Sequence, residues 1–218
     1  VWQPKASKFG IIDCWYVNSN AIGSTPTIAL SEQPSMQLTN SPIDSTGRYT
    51  RTAIALHWLL ALLIPAQIGL GWYMLSVEKE PGSETLFALH ISIGLTIALL
   101  LVLRVAWRAV HSPAVLPATL ASWEARAARL SHLLLYVLMV LLPVTGYLGT
   151  SFSGDAVSYF GLPLPGWAAK NDSLKEQFFT VHGVIAWALV GLIALHVLGA
   201  FKHLLKDRDG VFQRMWPR

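Results

Sequence analysis

The 218-residue chain has one cysteine, Cys14. A lone cysteine excludes an internal disulfide and any thiolate-rich metal or iron–sulfur site. Charge is also scarce, at 13% of residues against 53% hydrophobic. Soluble domains carry about 25% charged residues, so this deficit points to a membrane protein. No basic stripe is interleaved with aromatics, as single-strand nucleic-acid binding requires. No internal repeat is evident, which weighs against an inverted-repeat transporter. A metal or cofactor here has only histidine and carboxylate to hold it.

What the chain does have is long apolar runs. Four of them, near 52–75, 86–107, 130–152 and 178–201, are each about 20 residues or more, enough to cross a hydrocarbon core of about 30 Å as a helix. The expected fold class is an all-α membrane protein, a four-helix up-down bundle. Residues 1–47 are rich in Ser, Thr, Pro and Asn without sustained period, and read as a flexible tail. The natural start is expected at or near Met36, the first methionine.

The net charge of +4 serves topology. Arg48 and Arg51 precede the first run, Arg104, Arg108, Arg126 and Arg129 flank the second loop, and Lys202, Lys206 and Arg208 follow the last run. The first and third loops hold mostly acids, among them Glu78, Glu80, Asp155 and Asp172. The positive-inside rule therefore puts both termini in the cytoplasm.

Against this apolar background stand the histidines. His182 and His196 lie on the last run, 14 residues apart. That is about 21 Å along a helix and within about 40° of whole turns, so both face one side. With the topology above, His90 and His182 share an outer layer, and His57, His132 and His196 an inner one. His203 falls at the cytoplasmic edge, and His111 in a Pro-containing loop, where it is expected to be solvated. Fourteen residues after His57 and His132 come Gly71 and Gly146, leaving room at the outer layer; fourteen after His90 comes Arg104, a cation at the inner layer.

Two histidine layers suit bis-histidine haem ligation. A six-coordinate iron has no free site for oxygen chemistry, so such a cofactor carries electrons. Structural zinc wants four ligands, and the outer layer offers two histidines. A proton relay normally uses Asp or Glu along its path, and the apolar runs contain neither. Covalently attached haem is excluded by the lack of a CxxCH run.

Several stretches are similar to the bacterial cytochrome b561 family: "RYTRTAIALHWLLALL", "LHISIGL", "HLLLYVLMVLLPVTGY", "DSLKEQFFTVH", "LIALHVLGAFKH" and the tail "KDRDGVFQRMWPR". The resemblance covers 48–218, which would form the membrane domain. It implies a multi-pass protein of the bacterial inner membrane with two haem b groups. It implies ligation by His57 with His196 and by His90 with His182, leaving His132 and His203 off the iron. In this reading Arg104 pairs with a haem propionate or serves as an inside-positive anchor. His132 and His203 meet propionates, line a quinone pocket or pack at the interface. Lys175 sets a cation above the outer haem or is solvated. Trp58, Trp72, Trp107, Trp123 and Trp187 form aromatic belts or haem-side packing.

The expected function is electron transfer to or from membrane quinone, ubiquinone being the candidate, as a carrier or as a quinone-linked oxidoreductase. The resemblance adds a small periplasmic donor such as superoxide. The alternatives are a haem-bearing anchor for a larger oxidoreductase and, from another class, a metal or proton transporter. The expected partners are membrane lipid, quinone and an unidentified donor or acceptor, and no nucleic acid.

Overall fold

A computed structural model describes residues 48–111 and 120–217. The expected tail, with Cys14 and Met36, lies outside the described residues. Four helices follow in order: α1 (Arg51–Ser76), α2 (Ser83–Val110), α3 (Ser122–Ser153) and α4 (Asp172–Phe201). All four are long and apolar enough to cross a membrane. A two-stranded hairpin, β1 (Ser158–Tyr159) and β2 (Leu162–Pro163), precedes α4. A π-helical turn (Lys202–Asp207) and a 3-10 turn (Phe212–Met215) follow it.

The helices outrun the apolar windows, α3 by eight residues and α4 by six at their starts. Hydropathy marks where lipid begins, whereas helices end where their backbone bonds are capped. At α4 the cap is Asn171, whose side chain accepts from Leu174 N at 3.1 Å. At α1 it is Thr50, whose Oγ1 accepts from Ala53 N at 3.3 Å. The acids Glu84, Glu124 and Asp172 thus fall in first turns, where they complement the helix dipole.

Packing is inverted relative to a soluble protein. The core is a thin belt of Leu60, Ile64, Ile97, Leu101, Leu135 and Leu189 from all four helices. Large apolar side chains point outward instead: Leu62 is 68% and Leu195 66% exposed. Such surface is stable only against lipid. Backbones approach closely along α3–α4 and α1–α2, and less along α2–α3. The faces between α4 and the first two helices are more open. Pro65 in α1 and Pro143 in α3 are tolerated, as proline commonly is in membrane helices.

The hairpin turns on Phe160 and Gly161, with φ of 47° and 85°. Two successive positive φ values are what a two-residue hairpin loop needs. For Phe160 that backbone is unusual, and its N–H is held by Ser92 Oγ of α2 at 2.9 Å. Tyr159 and Thr96 hydroxyls lie 3.2 Å apart. The segment leading into α4 is thereby fastened to α2.

Candidate functional site

The half-buried imidazoles gather in two groups. In the outer group His90 of α2 faces His182 of α4, ring centres 6.3 Å apart and planes at 71°. The neighbouring helices contribute glycine. A Cβ at Gly71 of α1 would lie 3.0 Å from His90 Cε1, and one at Gly146 of α3 would lie 3.1 Å from His182 Cε1. Both glycines therefore yield space to a histidine. His182 Nδ1 donates to the Leu142 carbonyl at 2.9 Å and lies 3.2 Å from Thr145 Oγ1. A proton held at Nδ1 leaves Nε2 as the basic nitrogen. His90 Nδ1 is buried with no hydrogen-bond partner among the described residues. The His90 carbonyl accepts from Gln67 Nε2 at 2.7 Å.

In the inner group His57 of α1 faces His196 of α4, ring centres 6.4 Å apart and planes at 70°. His132 of α3 joins them edge-on, its ring centre 5.1 Å from that of His196. Its Nδ1 donates to the Ala128 carbonyl one turn back at 2.6 Å. Arg104 reaches in from α2. Its guanidinium donates to Tyr136 Oη at 3.0 Å and to the Ala53 carbonyl at 3.1 Å, and lies 3.3 Å from His57 Nδ1. A cleft beside it is lined by Thr50, Leu56, Trp107, Tyr136 and Met215.

The remaining candidates stand apart. His203 is bound to Asp209 Oδ2 at 2.8 Å and Asp207 Oδ2 at 3.2 Å, away from the other rings. Lys202 bridges Glu124 of α3 and Asp207, at 2.5 Å to each. The three ligand-type side chains there could hold a cation by geometry, but the Lys202 ammonium already supplies one. Lys175 lies in the opening turns of α4, not in a loop, beside a shallow groove with Asp172, Glu176 and Phe179. His111 corrects the expectation of a solvated ring: it stacks on Trp107 with ring centres 3.9 Å apart, because α2 runs up to it.

Gln67, Thr145 and Tyr136 were not singled out by the sequence reading. Each is a polar residue within an apolar run, and the cost of leaving such a group unpaired in lipid was the signal available.

Fold and site define a polytopic helical membrane protein with opposed imidazoles in its interior. A family model described as prokaryotic cytochrome b561 matches residues 48–218, and the chain belongs to that family. Cytochrome b561 homolog 2 of Escherichia coli (strain K12) is 32% identical over 185 residues, covering 83% of this chain and 95% of that protein. Cytochrome b561 homolog 1 of the same strain is 28% identical over 182 residues, covering 79% and 98%. A probable superoxide oxidase of Yersinia pestis is 25% identical over 175 residues, covering 78% and 97%. The chain is thus a bacterial membrane cytochrome of b type, and the family implies b-type haem binding and electron transport.

Proposed function

We propose that residues 48–218 form a transmembrane di-haem b electron carrier working with membrane quinone. His90 and His182 hold one haem near the outer face; His57 and His196 hold the other near the inner face. The observation that carries this is the repeated spacing of the rings, 6.3 and 6.4 Å. Two imidazoles on opposite sides of one metal ion, with bonds of about 2 Å, need ring centres about 6 Å apart. His132, at 5.1 Å from His196, is too close for that arrangement, which favours His57 as the partner. The glycines let the outer imidazoles sit close against α1 and α3, and the buried Nδ1 of His90 fits a site whose polar demand is met by a cofactor.

A haem held by these histidines would supply one-electron transfer. The chain's own residues orient the ligands. Leu142 and Thr145 fix the His182 ring through Nδ1 and leave Nε2 as its basic nitrogen. Arg104 has only hydrogens to offer, so its contact makes His57 Nδ1 an acceptor. Were His57 to hold a haem through Nε2, its Nδ1 would carry the proton and Arg104 would be left to pair with a carboxylate such as a haem propionate. The apolar belt excludes water from between the layers.

The name of the Yersinia pestis relative supports superoxide as an outer donor. Two superoxide anions would each give up one electron and become oxygen. A quinone would take both electrons with two protons and become quinol. Lys175 would set a cation at the outer groove, moderated by Asp172 and Glu176. Both termini are assigned to the cytoplasm and the protein to the bacterial inner membrane, from the basic loops.

The test is a pyridine haemochrome assay on purified protein. Two b haems per chain are expected, and a folded, colourless preparation would end this reading.

A further inference from the structure

The tail "KDRDGVFQRMWPR" reaches the site only through Met215, which lines the cleft beside Arg104, yet it is folded back onto the bundle. Three successive carbonyls of this tail are gripped by the start of α1. The Arg214 carbonyl accepts from Tyr49 N at 3.3 Å, that of Met215 from Trp58 Nε1 at 2.7 Å, and that of Trp216 from the Arg48 guanidinium. The Trp58 and Trp216 rings meet edge to face, centres 5.6 Å apart, and Phe212 backs Trp216 at 5.2 Å. The reversal that brings the tail round uses left-handed backbone at Arg208 and Gly210, φ 51° and 80°. Asp209 secures it by accepting from Val211 N at 3.0 Å and from His203 at 2.8 Å.

The ends of this segment matter. One end continues α4, which carries His196; the other is fastened to α1, which carries His57 beside Trp58. Those two helices share an open face, so little direct backbone packing holds them at a set distance. The His57 and Trp58 rings are themselves in edge contact, centres 5.8 Å apart. We propose that residues 208–216 are a positioning strap that sets the separation and ring angle of His57 and His196. Arg48, Trp58 and Trp216 are positioning residues, with His203 and Asp209 anchoring the turn. This rests on the reading of His57 and His196 as haem ligands.

The strap is tested on the full-length holoprotein by low-spin electron paramagnetic resonance and redox titration. The low-spin signal depends on the angle between axial imidazole planes. Trp58→Phe keeps an aromatic ring and removes the indole N–H; Arg48→Gln removes the guanidinium; Trp216→Ala removes the ring that meets Trp58. Each is expected to shift or broaden the inner signal and move its redox wave, leaving the outer signal in place as a folding control. Where a variant loses both signals through misfolding, Trp58→Phe, the mildest change, decides. His57→Ala in the same series separates the two possible failures. If it removes the inner signal while the strap variants leave that signal and wave unmoved, the strap is overturned and the ligand reading stands. If His57→Ala leaves both signals intact, the ligand reading falls and the strap falls with it.

Discussion

Two glycines and a threonine bound how the outer pair of imidazoles can sit. At Gly71 and Gly146 an added methyl would press on an imidazole at 3.0–3.2 Å. Gly146→Ala is expected to be tolerated by a small shift of His182. Gly146→Val crowds the ring, at a cost of about 1–3 kcal/mol, and is expected to halve the haem content, read as absorbance per protein. Thr145→Val deletes the hydroxyl beside His182 Nδ1. Loss of such a supporting contact costs about 10–100-fold in metal-site affinity, so faster transfer of the proposed outer haem to apomyoglobin is expected. At this scale the sequence was partly legible. The spacing of fourteen placed His182 and His196 on one face of a helix, and the same offset picked out both glycines. It could not choose between His57 and His132, because both sit at one depth and only packing sets their ring separations from His196, 6.4 and 5.1 Å. Gln67, Thr145 and Tyr136 were hidden because their partners lie 23 to 37 residues away in the chain.

At the scale of elements, the α3–α4 seam is the closest in the bundle. Gly149 makes it possible: a Cβ there would stand 2.7 Å from the Phe179 ring. Gly149→Leu would pry the helices apart and destabilise the protein by about 1–3 kcal/mol, seen as a lower midpoint in thermal unfolding in detergent. Four spans were plain from hydropathy, but their ends were not. The polar turns "SWEARAAR" and "DSLKEQ" continue helices that the apolar windows cut short. The hairpin and the folded tail were missed altogether. Each is short and held by contacts with distant helices, at Ser92 and at Trp58, so local periodicity carries no trace of them.

For the whole molecule, the assigned orientation has a direct check. A single cysteine in place of Glu80, in a chain with Cys14 replaced, is expected to react with a membrane-impermeant maleimide added to intact cells. One in place of Arg126 is expected to react only after the membrane is opened. The reverse pattern would invert the topology and move the proposed outer haem to the cytoplasmic side.

Both proposed iron sites draw a ligand from α4, which is helical from Asp172 to Phe201 and has no interior proline. One rod therefore acts as a ruler, and its length can be edited. A single residue inserted between His182 and His196 would swing one imidazole by about 100° and strand it. Seven inserted residues would bring it back to within about 20° of its face, about 10 Å farther along. Rebuilding the bundle around such a lengthened α4 would be a way to tune how far an electron must jump.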